Sequence, residues 1–228
     1  MIIVHSPCRS ESEIILQIVE GILFELRPIQ LLSTKLSGGI VSRVEEILPY
    51  FGIGLTDVRI IGICGMGGVG KSTIARVIYD RLSNQFEGSC FLPNVREVAQ
   101  RSGLVCLQVR LLCDILFERD IRIINVLEGV IQIREMLCRK RILLVLDDVD
   151  DSKQLEIFAL QHDWLCSGSR VIITSRDEHL LRSHGVDRIY RPKELSYEEA
   201  LEIFNLKSWR KCTFSSYILG LVTIWSIN

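Results

Sequence analysis

One octapeptide limits this chain more than any other feature. Residues 65–72 read Gly65-Met66-Gly67-Gly68-Val69-Gly70-Lys71-Ser72 and fit the pattern G-x-x-x-x-G-K-[ST]. The octapeptide follows an apolar, β-rich run over 58–64 and precedes a helical pattern over 72–82. A strand that turns through glycines into a helix start presents successive main-chain N–H groups and the positive end of the helix dipole, which together cradle phosphate. In this reading the main-chain amides between Gly65 and Thr73, those of Gly67, Gly68, Val69 and Gly70 among them, surround a polyphosphate. Lys71 reaches its β and γ groups, and the Ser72 hydroxyl serves Mg²⁺. The same residues also spell G-x-G-x-x-G, but a dinucleotide site needs an acidic residue closing the next strand. The run over 89–92 leads instead into Pro93-Asn94, and Lys71-Ser72 decides for the phosphate-binding loop, the P-loop.

The rest of the chain alternates in the same grammar. Short apolar runs over 58–64, 89–92, 142–147, 170–174 and 188–190 predict strands. Helical spacing predicts helices over 72–82, 104–117, 126–138, 153–160 and 178–184. A capping box at Ser10 and Glu13 opens an amphipathic leader helix that Pro28 stops. A loop containing Gly38 and Gly39 leads to a short helix from Ser42, closed by Pro49 and Gly52. A second capping box, Ser196 with Glu199, opens a last helix running to about Trp209. The expected organisation is a leader over 1–36, a nucleotide-binding domain over 37–192, the start of a helical subdomain over 193–209 and a divergent tail over 210–228.

Two further strands end in chemistry. The run RILLVLDD at 141–148 delivers carboxylates to the C-terminal edge of a sheet, where a phosphate-bound Mg²⁺ sits. Asp147 is the metal-linked acid; Asp148 is placed to orient or deprotonate an attacking water, while Asp150 and Asp151 read as loop or helix-start residues. The run GSRVIITSR at 168–176 brings Arg176 to the same edge, where a planar cation can tell ATP from ADP by pairing with the γ-phosphate. The bland alternative for Arg176 is a strand-end cap or a surface pair with Asp177.

Composition removes other classes. With 27 basic against 28 acidic residues, no overall positive field would hold a nucleic acid. Eight cysteines form no C-x-x-C pair or Cys/His cluster, so no metal cluster or disulfide framework is indicated and reduced, buried thiols are expected. No secretory leader is read at the N-terminus, and the apolar run over 217–227 is too short for a span, which needs about 20 residues. The expectation is a cytoplasmic or nucleocytoplasmic protein without a membrane span.

Taken together, GMGGVGKST at 65–73, FEGSCFLPNVRE at 86–97, LLVLDDVD at 143–150, GSRVIITSRD at 168–177 and RPKELSYEEALEIF at 191–204 resemble the plant NB-ARC disease-resistance family, over about residues 11–209. The block at 86–97, with Asp150 where the coiled-coil subclass has Trp, resembles the subclass whose receptors begin with a TIR domain. The resemblance implies a P-loop NTPase of the STAND and AAA-like type, an α/β three-layer fold whose five parallel strands run in the order 5-1-4-3-2. It implies an ADP/ATP switch with slow Mg²⁺-dependent hydrolysis at most, in a plant defence pathway. Partners would be other receptor domains or further copies of the same domain. It also implies that Ile40, Val41 and Arg43 help hold the nucleotide, where spacing alone reads a helix cap and core residues. The family's Gly-Leu-Pro-Leu and Met-His-Asp motifs, leucine-rich repeats and TIR domain are not found, and the pattern is left near Trp209. A truncated product with a non-homologous tail is therefore expected.

Competing readings are a small-molecule P-loop kinase, a GTPase, a DNA-associated ATPase and a nucleotide-free interaction fragment. The first lacks an Arg-rich lid, the second an Asn-Lys-x-Asp segment and the third a basic recognition helix.

Overall fold

The structure is a computed structural model in which residues 38–118, 120–194 and 196–199 are described. The leader helix, most of the helix expected to reach Trp209, and the tail over 210–228 lie outside the described residues.

Five strands form one parallel sheet: β1 (Arg59–Cys64), β2 (Gly88–Leu92), β3 (Ile142–Val149), β4 (Arg170–Ser175) and β5 (Arg188–Tyr190). Their order is β2-β3-β4-β1-β5, which read from the other edge is 5-1-4-3-2. The central strands are buried along almost their whole length, as strands covered on both faces must be. Among the described residues, seven α-helices surround the sheet: α1 (Gly38–Ile47), α2 (Lys71–Leu82), α3 (Val95–Ser102), α4 (Leu104–Leu116), α5 (Val126–Leu137), α6 (Ser152–Glu156) and α7 (Glu178–Ser183), besides three short 3-10 helices and the helical residues 197–199. Side chains of one strand phase, such as Ile60, Leu144, Leu146, Val171 and Ile173, pack with Leu107 and Leu111 of α4, Ile133 of α5 and Leu181 of α7. The opposite phase, Ile61, Ile63, Leu143, Val145 and Ile172, is equally buried, and α2 packs on β1, β3 and β4. At roughly 1.5–3 kcal/mol per fully buried aliphatic side chain, this double burial is the main stabilising contribution.

Three local expectations are corrected. Gly38 and Gly39 are not a loop but the first turn of α1. A Cβ on Gly39 would fall 2.5 Å from the Glu199 carboxylate, so glycine there lets a later segment approach the helix. Helix α3 was not expected, and the helix foreseen over 153–160 is the short α6, after which Ala159 turns into the left-handed region at φ 51°. The second capping box closes both ways, with Glu199 N–H donating to Ser196 Oγ and Ser196 N–H to Glu199 Oε2.

Helix α5 contains a glycine that the core requires. The Gln108 side chain, fully buried, donates to the carbonyls of Val126 and Ile157 and so ties α5 and the end of α6 to α4. A Cβ on Gly129 would lie 2.2 Å from Gln108 Oε1. Gly129→Ala gains about 1 kcal/mol of helix propensity but displaces a buried amide, and an unpaired buried amide costs about 1–3 kcal/mol besides its two lost bonds. The expected result is net destabilisation of about 1–2 kcal/mol in urea unfolding; a stabilised variant would show that Gln108 has room to move.

Candidate functional site

The C-terminal ends of β1, β3 and β4 meet where the sequence places its polar residues. After Cys64 the chain enters the glycine loop and turns into α2. Gly68 and Gly70 have φ of 86° and 96°, values a residue with a Cβ adopts only under strain. Gly70 stands at the N-cap of α2 without any side-chain cap bond, so the first amides of the helix remain available to an anion. Ser72 and Thr73 are exposed on that first turn, as are Met66, Gly67 and Gly68 in the loop; Val69 is half-buried. A cleft of about 610 Å³ opens over the loop, lined by residues 64–69 on one side and by Arg176, Glu178, Arg191, Pro192 and Glu194 on the other.

Lys71 is buried, and its Nζ donates to the carbonyls of Gly65 and Met66 at 2.8 and 2.9 Å. Burial, and then the Arg176 guanidinium, pull its pKa below the usual lysine value. An anion entering the cleft would relieve the second effect.

Across the loop, β3 ends in a distorted turn. Its pairing with β4 slips between Leu146 and Val149, and Asp148 at the slip has φ 58°. Asp147 points inward, buried, and accepts from Thr174 Oγ1 at 2.7 Å. Asp148 points to the cleft side: its N–H donates to Thr174 Oγ1, its Oδ2 pairs with Arg96 Nη2 at 3.0 Å and its Oδ1 lies 3.8 Å from Arg176 Nε. Thr174 thus fixes both acids. Arg176 is 57% exposed, and a Cβ on Gly67 would come within 3.5 Å of its guanidinium carbon, so it lies over the glycine loop. It does not pair with Asp177, which caps α7 through His179 and Leu180 N–H. Asp151 caps α6, and Asp150 accepts from Gln154, as expected of loop and helix-start residues.

The three α1 residues play different parts. Ile40 is buried, with its Cδ1 3.6 Å from where a Gly70 Cβ would stand, so it backs the loop. Val41 is half-buried. Arg43 is buried and makes five hydrogen bonds, to the carbonyls of Gly39, Lys193 and Glu194 and twice to the Glu199 carboxylate. All its donors are engaged, so its observed place is a latch between α1 and the segment after β5. The hydrogen bond from Arg43, then one from the Ser196 backbone, hold the Glu199 carboxyl below the usual carboxylate range. A carboxyl whose folded value is depressed stabilises above its unfolded value, so the latch holds at neutral pH and is lost as pH falls through the lower folded value. Tyr190 makes a second tie, donating to Glu46 Oε2 at 2.9 Å; burial and then that bond push its phenol well above the usual tyrosine value.

Spacing gave no sign of Arg96 or of the Glu178–Arg191 pair on the far cleft wall, although all but Glu178 fall inside the blocks that carry the family resemblance.

The NB-ARC domain profile matches residues 44–213, which include the whole described sheet and loop. The chain belongs to the NB-ARC family. It is 42% identical over 202 residues to disease resistance protein RUN1 of Vitis rotundifolia, covering 88% of this chain and 15% of that protein. It is 39% identical over 210 residues to TMV resistance protein N of Nicotiana glutinosa, covering 89% of this chain and 18% of that one. This NB-ARC chain therefore spans less than a fifth of those relatives. Among solved structures, Cdc6p from Pyrobaculum aerophilum superposes with a TM-score of 0.56 at 13% identity, covering 75% of this chain and 49% of that one. Drosophila ORC bound to DNA gives 0.50 at 16% identity, with 90% and 54% covered. At such identities the likeness speaks for a shared P-loop NTPase fold alone. No helix among the described residues is long and apolar enough to cross a membrane.

Proposed function

We propose that this NB-ARC domain is an ADP/ATP-binding switch with slow Mg²⁺-dependent hydrolysis at most, acting as the regulatory module of a cytoplasmic plant immune receptor of the TIR-bearing subclass. One observation carries the reading: a cleft lined by the open glycine loop and by Arg176 lies beside an uncapped helix start, with the buried Lys71 ammonium held on the carbonyls of two cleft-lining residues, Gly65 and Met66. The amides of the loop and of Lys71, Ser72 and Thr73 bind the phosphates, and the Lys71 ammonium exchanges its two carbonyl partners for phosphate oxygens.

The donor set fits Mg²⁺, a hard cation that takes oxygen ligands: an exposed Ser72 hydroxyl on the first turn of α2 and a carboxylate, Asp147, oriented by Thr174. When bound, the ion neutralises charge on the β and γ groups. Arg176 meets the γ-phosphate and so separates ATP from ADP. Asp148 stands where it can orient a water, but its carboxylate is already engaged by Arg96, which agrees with slow turnover. The remaining domains of the receptor, or further copies of this one, are the partners through which nucleotide state would act.

The deciding experiment is to purify the full chain, denature it and identify released nucleotide by chromatography. Near-stoichiometric ADP or ATP is expected. Empty protein that also fails to bind added ADP or Mg²⁺–ATP would leave only an α/β interaction fragment, and turnover dependent on a second small substrate would indicate a kinase.

A further inference from the structure

Arg176 stands between two anions that could claim it. One is the γ-phosphate, present only in ATP. The other is Asp148, always present. In the structure Asp148 is held tightly by Arg96, at 3.0 Å, and loosely by Arg176, at 3.8 Å, beyond hydrogen-bond distance. We propose that Arg96 is a specificity-determining residue for the γ-phosphate: by occupying Asp148 it keeps Arg176 free to meet the nucleotide. The inference rests on the nucleotide-switch reading above and adds to it a residue that never touches the ligand.

The local architecture holds Arg96 and Asp148 in place. Leu92 of β2 pairs in register with Leu146 of β3, so the chain leaving β2 emerges beside the end of β3. Asn94 then turns in the left-handed region at φ 51°, and Val95, fully buried, anchors the first turn of α3 against the sheet. Arg96 is thereby delivered to the carboxylates of β3, with Asp148 as its close partner and Asp150 4.0 Å from its Nε. Asp148 cannot follow Arg176 far, because its left-handed backbone and its N–H bond to Thr174 Oγ1 fix its place. Arg176, by contrast, has an exposed side chain that can swing. If Arg96 is removed, the ion-pair partner left to Asp148 among the described residues is Arg176, with Lys71 felt only at longer range; the pair tightens, and a γ-phosphate must then break it. ADP, which has no third phosphate, meets no such competition.

The test is equilibrium binding of ADP and of a non-hydrolysable ATP analogue, with Mg²⁺, to the full chain carrying Arg96→Ala, Arg96→Lys, or Arg96→Ala with Asp148→Asn. Since a partly exposed ion pair is worth up to about 1 kcal/mol, Arg96→Ala should weaken the ATP analogue about fivefold and leave ADP within about twofold. Arg96→Lys keeps a cation at the site and should fall between. The double variant removes the charge that captures Arg176 and should restore the wild-type ratio of the two affinities. An unchanged ratio in Arg96→Ala, an equal loss for both nucleotides, or no rescue in the double variant would each overturn the proposal while leaving nucleotide binding intact. Wild-type protein that binds neither ligand would overturn the switch reading and this inference with it.

Discussion

Lys71→Ala should lower the affinity for both ADP and Mg²⁺–ATP on the order of a hundredfold while leaving the fold intact. A charge-assisted hydrogen bond contributes about 1.5–3 kcal/mol, and a lysine that meets two phosphate groups loses about 3 kcal/mol of binding when it is truncated. At 1.4 kcal/mol per decade that is roughly two decades. The structural cost is smaller, because the two carbonyls that Lys71 satisfies belong to Gly65 and Met66, which border the open cleft where water can replace the ammonium. Calorimetric titration of both nucleotides beside a thermal melt separates the two effects. Wild-type affinity in the variant would mean that the loop binds no phosphate through its lysine, and the function proposed above would fail.

The largest loss of stability is expected far from the cleft, at Arg170. This side chain is 1% exposed at the start of β4, and it donates to five main-chain carbonyls, those of Phe51, Gly52, Leu55, Asp57 and Ser169. It also meets the half-exposed Asp57 carboxylate at 3.3 Å. Truncation leaves several acceptors without a donor and opens a cavity beside the fully buried Phe51. Breaking a buried charge network of this kind costs about 3–5 kcal/mol, so Arg170→Ala should melt roughly 10 °C lower. Arg170→Lys should recover little, since a single ammonium cannot reach carbonyls spread around a planar fork. As a reference, Arg101→Ala removes an exposed pair with Glu97 within α3 and should cost no more than about 0.5 kcal/mol. Equal melting temperatures for the two alanine variants would show that the 51–57 segment closes without the arginine.

What could be read from the amino acids divides along physical lines. The central strands β1, β3 and β4 were found because each is a short apolar run, which parallel burial makes continuous, while β2 and β5 carry shorter apolar stretches. The loop was found because its glycines, lysine and hydroxyl stand at fixed intervals in one stretch of chain. Helix α3 escaped because its eight residues, VREVAQRS, offer a stripe of only three apolar side chains, Val95, Val98 and Ala99, too short for the helical period to stand out; packing on the core makes it helical. The roles of Arg43 and Arg170 escaped for another reason. Each makes all but one of its main contacts with groups 113 or more positions away in sequence, a relation no local pattern can encode. Arg96 belongs with them, since its partner Asp148 lies on a strand that reaches it only through the pairing of β2 with β3.

The Arg43 latch also makes a transmission. Through one guanidinium, residues 193, 194 and 199 are fastened to α1, and three residues before that guanidinium Ile40 rests against Gly70 at the start of α2. Force applied to the chain beyond β5 therefore has, besides the covalent path into β5 and the sheet, a second route to the glycine turn through a single stiff helical step. If the turn holds a nucleotide as proposed, its occupancy would be felt outside in the same way, and grip on the ligand and load on the downstream segment would be two ends of one lever.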